Sequence, residues 1–370
     1  MKKHSLTDYL ILYLAKTLGF VFRAIPVSGA LFIGRFFGRL AMFLNKKRTK
    51  IAYANLKAAF SSRFHPKQLR KILRGTYANI GQGLVEVFLL PKLGKEYVAR
   101  HLEFEDFHYA KDILKQGKGL IFLTAHFGNW EMSNVALPLE GFTYKAIARE
   151  QKPYLLNKLL NAYRESKGCK ILLKGPAVKE AIRTLHSGGI VGMLVDQDAG
   201  KTGMFIDLFN RPASWNTGVM EIAMRTGAAI VPGFSIRKKG SGITFKLFKP
   251  IVFSGTKADK ESEIRRGFKE YVSHLEDVVS KYPEQWLWQH RRWKSSPLRR
   301  VLILNDGRTG HLRQSEAVAN KLRDLWVEKG HKEEEFSVDI VDIYFRNDFL
   351  KILVAFLVKI PFTFSPGSMW

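Results

Sequence analysis

From Gly119 to about residue 250 the chain alternates short apolar runs with amphipathic ones, and this alternation restricts the fold more than any other feature. The runs 120–124, 144–148, 170–173, 190–195, 229–234 and 244–248 have strand length and composition. Helical patterns fall between them at 153–166, 177–185 and 217–225. The second of these is bounded by Pro176, which suits a first helical position, and by Gly188-Gly189, which suits a stop. Strands that alternate with helices imply an α/β layered domain with a mostly parallel sheet and flanking helices. A long amphipathic helix over 261–282 closes the unit, and residues 50–115 carry a helical pattern punctuated by Pro66 and Pro91.

Open α/β sheets bind ligands at the carboxyl ends of their strands, so the residues there are the first candidates for chemistry. The run 120–124 leads directly into His126-Phe127-Gly128-Asn129-Trp130-Glu131. A helix is expected over 131–139. Five residues on a regular helix turn through about 500°, which would leave His126 and Glu131 about 140° apart. They meet only if His126 lies in the turn and Glu131 in the first helical turn. An imidazole held by a carboxylate is a proton acceptor suited to neutral pH. Gly128 permits a close backbone approach, and the free N–H groups near Gly128 and Asn129 suit an anion or a developing oxyanion. The plainer reading is a loop histidine and a glutamate that favours the helix dipole.

Further candidates follow other strands. Asp196 and Asp198 come after 190–195 and suit substrate positioning; no third ligand is spaced for a metal, so none is expected. Arg149, after 144–148, and Arg164, near the end of the next helix, suit a phosphate. Each also reads simply as a solvated arginine. Phe205, Phe209 and Trp215 suit either an acyl-chain slot or the core.

Charge selects the partner class. Lys and Arg number 60 against 33 Asp and Glu, a formal net of +27, which favours an anionic partner. Zinc-finger spacing, an arginine-rich tail and RNA-binding aromatic signatures are absent from the sequence, so no nucleic acid is expected and an anionic membrane ranks first. The run 9–25 is apolar but holds Lys16 and Arg23; the run 30–44 holds Arg35 and Arg39; a basic cluster, 46–50, follows. Residues 9–25 read either as a single membrane anchor or as an amphipathic helix in the interface. Three tryptophans interleaved with basic residues in 283–294 suit a membrane interface or stacking on single-stranded bases. Cys169, the one cysteine, can form no internal disulfide; it fits a reducing compartment and reads as a small core residue. After a break at 294–300, a strand at 301–304, a helix at 314–326 and a strand at 337–343 look like the opening of another α/β unit, followed by an apolar run, 349–364.

Four segments in order resemble one family: TAHFGNWE at 124–131 with its H-x4-E spacing, VDQDAGKTGMFIDLFNRPASWNTG at 195–218, RTGAAIVPGF at 225–234 and PEQWLWQHRRWK at 283–294. Residues 1–296 are in this way similar to the bacterial lipid A biosynthesis late acyltransferases. Glycerophosphate-type acyltransferases generally carry H-x4-D, so Glu131 points away from them. The resemblance implies a membrane-anchor or interfacial segment over 1–50, an acyltransferase domain over 51–296, and a place on the cytoplasmic face of the inner membrane. It implies an acyl carrier protein as donor, a hydroxyl of an acylated sugar lipid as acceptor, and no cofactor. In that reading His126 is the base, Glu131 fixes its tautomer, Arg149 and Arg164 meet phosphates, and Asp196 orders the site. A glycerol phosphate or another glycolipid as acceptor, or a non-catalytic basic surface protein, are the rival readings. Residues 301–325 resemble the opening of the mitochondrial fission ELM1-like family, whose fold is similar to glycosyltransferases; no activity is inferred from 300–370.

Overall fold

The computed structural model describes residues 5–173, 177–253, 259–344 and 347–359. Pro176 and the end of the apolar run, 360–364, lie outside the described residues. The chain divides into two compact units, Met1–Lys294 and Ser295–Trp370.

The first unit opens with helices α1 (Leu6–Ala24), α2 (Val27–Leu44), α3 (Lys46–Phe60) and α4 (Pro66–Leu89), followed by the short α5 (Lys95–His101) and α6 (His108–Lys115). Ser5 starts α1 with a capping box: its side chain accepts from the Asp8 N–H, and Asp8 accepts from the Ser5 N–H. Proline stands at the first position of α4, where no N–H is needed. The two first helices invert the usual pattern. The inward positions are mostly small (Ala15 and Gly19 beside Phe22 on α1; Ala30, Gly34 and Gly38 beside Leu31 on α2), while Leu10, Tyr13, Leu14, Phe20, Phe32, Phe36, Phe37 and Phe43 are exposed. By length and composition α2 is apolar enough to cross a membrane. It is seated on α4 through glycines: a Cβ on Gly81 would lie 2.0 Å from the Gly34 carbonyl oxygen, and one on Gly38 would lie 2.2 Å from that of Tyr77. Only hydrogen at these positions lets the two backbones approach so closely.

The sheet of this unit contains β1 (Leu102–Glu105), β2 (Leu120–Thr124), β3 (Tyr144–Ala148), β4 (Lys170–Leu173), β5 (Ile190–Leu194), β8 (Ala229–Arg237) and β9 (Ile243–Leu247), in the order β1-β9-β8-β2-β5-β3-β4. All neighbours are parallel except β8 and β9. Every residue of β2 and β8 is buried, as expected where helices cover both faces. Pro232 sits in β8 without disrupting a ladder. It is the last residue paired with β2, and β9 takes over from Gly233 onward. Helices α7 (Ser133–Leu139), α8 (Tyr154–Glu165), α9 (Ala177–His186), α10 (Gly218–Thr226) and α11 (Lys260–Lys281) connect and flank the strands.

Three local features differ from expectation. The helical pattern to residue 115 is interrupted by β1, whose four residues are too few to show a period of two. The helix expected from Glu131 begins at Ser133, and Glu131 lies in a 3-10 turn, Trp130–Met132. β6 (Met204–Asp207) and β7 (Pro212–Trp215) form a separate antiparallel hairpin. Phe209 and Asn210 both adopt positive φ at its tip, the backbone a tight two-residue hairpin loop requires.

The second unit contains parallel strands β10 (Arg299–Asn305) and β11 (Phe336–Asp342), joined through α12 (Thr309–Glu328), with α13 (Asp348–Lys359) beyond them. Leu302, Leu304, Ile340 and Val341 remain exposed on its two strands.

Candidate functional site

β2 and β5 are parallel neighbours in a register that pairs Thr124 with Leu194. His126 and Asp196 each follow two residues later, so the two loops deliver them to the same place. The His126 Nδ1 lies 2.7 Å from Asp196 Oδ1, and the His126 backbone N–H donates to Oδ2 at 2.9 Å. The indole N–H of Trp286 donates to the same Oδ2 at 2.8 Å. Asp196 is 4% exposed, so these donors replace its hydration.

Electrostatics tie the pair. Burial raises the Asp196 pKa, but the His126 charge and the hydrogen bonds from His126 and Trp286 outweigh it and hold the carboxyl below its ordinary value. Burial alone would lower the His126 pKa; the charge and hydrogen bond of Asp196, with a further contribution from Glu131, hold it above its ordinary value. An ionised Asp196 accepts a hydrogen bond from Nδ1–H, which keeps the proton of the neutral ring on Nδ1 and leaves Nε2 as the proton acceptor. The His126 side chain is 21% exposed, and the ring stands edge-on to Trp130 at 5.2 Å. The arrangement can accept a proton from a hydroxyl and stabilise the imidazolium that results.

Glu131 does not hold the imidazole. Its carboxylate takes a two-pronged contact from Arg164, Nε to Oε2 at 2.8 Å and Nη2 to Oε1 at 2.6 Å, and a third bond from Asn134 at 2.9 Å. The guanidinium fork fits a carboxylate in two parallel bonds, which explains the choice of partner. Arg164 also donates through Nη1 to Asn161 at 2.8 Å, so all three of its nitrogens are engaged by protein, and the expectation that it meets a phosphate is replaced by this role. Glu131→Ala would leave Arg164 unpaired in a half-buried place. It is expected to destabilise the fold by about 3 kcal/mol. A Glu131→Leu/Arg164→Met double variant should recover part of that loss, as urea denaturation would measure.

Gly128 is likewise committed. Its N–H donates to the Gln285 carbonyl at 2.8 Å and its own carbonyl accepts from Asn79 Nδ2 at 3.3 Å, so this N–H is not free for an oxyanion. Asn129 is 1% exposed, and neither polar atom of its side chain has a protein partner. Asp198 accepts from the Gly200 N–H at 3.2 Å, shaping the turn after β5. Arg149 is exposed at the end of β3. Among the described residues no three His, Cys, Asp or Glu side chains gather in a way that could hold a metal ion. A groove of about 320 Å³ beside β6 and α11, lined by Phe205, Arg265, Lys269 and Glu276, contains neither His126 nor Asp196.

The tryptophan-rich segment faces inward, against the expectation of a membrane or nucleic-acid surface. Trp286 and Trp288 are 2% and 1% exposed. Each indole N–H has a buried acceptor, Asp196 for Trp286 and the Pro283 carbonyl for Trp288, which is what buried tryptophan requires. Arg292 lies over the Trp215 ring at 4.0 Å and donates to the Ser214 carbonyl; burial pushes its pKa down to about 10. Trp215 and Phe209 belong to the core cluster and its margin. Cys169 is also buried, its thiol pushed up to about 12 by that burial. The segment supports the site: the Leu287 N–H donates to the His126 carbonyl at 3.0 Å. Sequence reasoning missed Trp286 and Asn79 as site residues. The one signal for Trp286 was its place in the PEQWLWQHRRWK segment at 283–294.

The family described as bacterial lipid A biosynthesis acyltransferase matches residues 1–295. The chain is 25% identical over 262 residues to the lipid A biosynthesis lauroyltransferase of Escherichia coli (strain K12), covering 70% of this chain and 83% of that one. It is 23% identical over 282 residues to the lipid A biosynthesis palmitoleoyltransferase of the same strain, covering 74% and 88%. It is 30% identical over 153 residues to the phosphatidylinositol mannoside acyltransferase of Mycobacterium tuberculosis (strain CDC 1551 / Oshkosh), covering 40% and 48%.

Proposed function

We propose, from the premise that this chain belongs to the bacterial lipid A biosynthesis acyltransferase family, that it moves a fatty acyl group from an acyl carrier protein thioester to a hydroxyl of an acylated sugar lipid. The observation that carries the reading is the His126–Asp196 contact at the carboxyl ends of two adjacent parallel strands, with the ring still open to solvent on one side. Nε2 of His126 takes the proton of the acceptor hydroxyl as its oxygen attacks the thioester carbonyl. Asp196 stabilises the imidazolium. The tetrahedral intermediate then expels the thiolate, which recovers the proton from His126. The acyl group passes directly from sulfur to oxygen, so no covalent acyl-enzyme is required. Glu131 and Arg164 fix the wall beside the imidazole, Asp198 shapes the loop that carries Asp196, and Arg149, exposed just after β3, is assigned to a phosphate of the acceptor.

The outward phenylalanines and leucines of α1 and α2 suit burial in the interfacial zone of a membrane. Both helices are packed on α4 along one face, which favours lying in the interface over crossing it. The net charge of +27 suits anionic headgroups and an acidic carrier protein. The cytoplasmic face of the inner membrane is the location that supplies both donor and acceptor. A second acceptor class, a mannosylated phosphatidylinositol, is favoured by the relative that bears that name.

The test incubates the purified full chain in mixed vesicles with an acyl carrier protein thioester and either a phosphorylated, acylated diglucosamine or a phosphatidylinositol mannoside. Mass spectrometry should show the diglucosamine lipid heavier by one acyl group. Gain on the mannoside alone selects the second acceptor, and no gain on either lipid defeats the proposal.

A further inference from the structure

One buried ion pair is not used by this mechanism. Arg237 of β8 and Glu86 of α4 meet in two parallel bonds of 2.7 Å, with side-chain exposures of 7% and 1%. A buried ion pair adds little net stability against an apolar replacement, because desolvation cancels much of the attraction. Its value here lies in what it holds. Arg237 Nε donates to Asn79 Oδ1 at 2.9 Å, which fixes the orientation of the Asn79 amide. The other end of that amide, Nδ2, then donates to the carbonyls of Gly128 and Gln285, each at 3.3 Å. The Gln285 side chain is clasped to the Arg237 backbone, accepting its N–H at 2.7 Å and donating to its carbonyl at 2.9 Å. The Gln285 carbonyl accepts the Gly128 N–H at 2.8 Å. Both backbone groups of Gly128, two residues from His126, are thus consumed by one assembly.

We infer that Asn79, Glu86, Arg237 and Gln285 act as positioning residues that set the His126 turn, so that α4 and β8 determine where the imidazole stands. Helix geometry sharpens the point. Tyr77, Gly81 and Val85 face α2, whereas Asn79 and Glu86 lie on the opposite side of α4. The inference rests on the reading of His126 as the base. A displacement of about 1 Å at a reacting group costs about 10²-fold in rate, so a small loosening of this turn is measurable.

Asn79→Asp is the discriminating variant. It keeps the shape and can still accept from Arg237, but it replaces the donor to two carbonyls by an acceptor. Arg237→Lys is its complement, keeping the charge opposite Glu86 while losing the bond to Asn79. With the full chain in vesicles, both variants should lower kcat by about tenfold or more per folded molecule, with KM within about twofold. Asn79→Ala should fall less than Asn79→Asp, because it removes the donor without adding repulsion. His126→Ala is run alongside. Full activity in His126→Ala would overturn the reading of the base itself. Loss in His126→Ala with kcat unchanged in folded Asn79→Asp would overturn the positioning inference alone. A fall in kcat that merely follows the amount of folded protein, scored by circular dichroism, would overturn it too; if Arg237→Lys does not fold, the Asn79 variants decide.

Discussion

Asp196→Asn is expected to lower kcat by about 10²- to 10⁴-fold while leaving the protein folded. An amide is the same size, and its oxygen can still accept from Trp286 or from the His126 backbone N–H. It carries no charge, however, and cannot stabilise the imidazolium. The pH dependence supplies a second readout. A general base acts only when neutral, so kcat/KM falls on the acid side through the pKa of His126 in the free enzyme. That pKa is raised because the charge and hydrogen bond of Asp196 outweigh burial. Removing the charge leaves burial as the larger influence, so the acid limb must move to lower pH. His126→Ala sets the floor for both measurements. An acid limb that stays where it was, or a rate within a few-fold of the parent, would show that Asp196 has no part in the chemistry.

Gly128→Ala is expected to destabilise the fold by about 3 kcal/mol or more, with activity lost in proportion or beyond it. Two costs add. Gly128 has φ +58°, where an L side chain is strained by roughly 1–2 kcal/mol. A Cβ there would also lie 1.6 Å from the Ser235 carbonyl oxygen, a backbone atom of β8 that cannot swing aside. Gly117 separates the two effects: it has φ +72° but nothing within 4 Å of the added carbon. Gly117→Ala should therefore show the conformational cost alone, about 1 kcal/mol. Urea midpoints at unchanged slope would measure both. Equal losses at the two positions would mean that the contact with β8 is softer than its geometry indicates.

The α/β alternation was legible because each strand is long enough to show its composition. Five residues of β2 and five of β3 fall where the apolar runs fell. The strand β1 (LEFE) and the hairpin strands β6 (MFID) and β7 (PASW) were not, because each mixes apolar with charged or small residues, whereas the equally short β4 (KILL) is apolar at three of its four positions. His126 and Asp196 both stood out as polar residues just past strands, but their contact did not. It depends on β2 and β5 being neighbours, and strand order is a property of packing that periodicity does not encode. Closeness in sequence made Glu131 the natural partner instead, whereas the fork of Arg164, thirty-three positions away, claims it. Trp286 and Trp288 misled in a different way. A tryptophan beside arginines has the same composition at a wet interface and in a core where its N–H finds an acceptor.

The glycine seam between α2 and α4 removes the side chains that usually let one helix slide or swivel on another. With nothing between the two backbones, α2 has a single seat, and α4 continues from that seat into the bonds that reach Gly128. Any tilt imposed on α2 by an apolar phase is inherited by the whole sheet, as a hull follows its keel. With α2 in the membrane interface and His126 as the base, as proposed, the height of the imidazole above that phase is a fixed dimension of the protein, and an acceptor must bring its hydroxyl to that level to react.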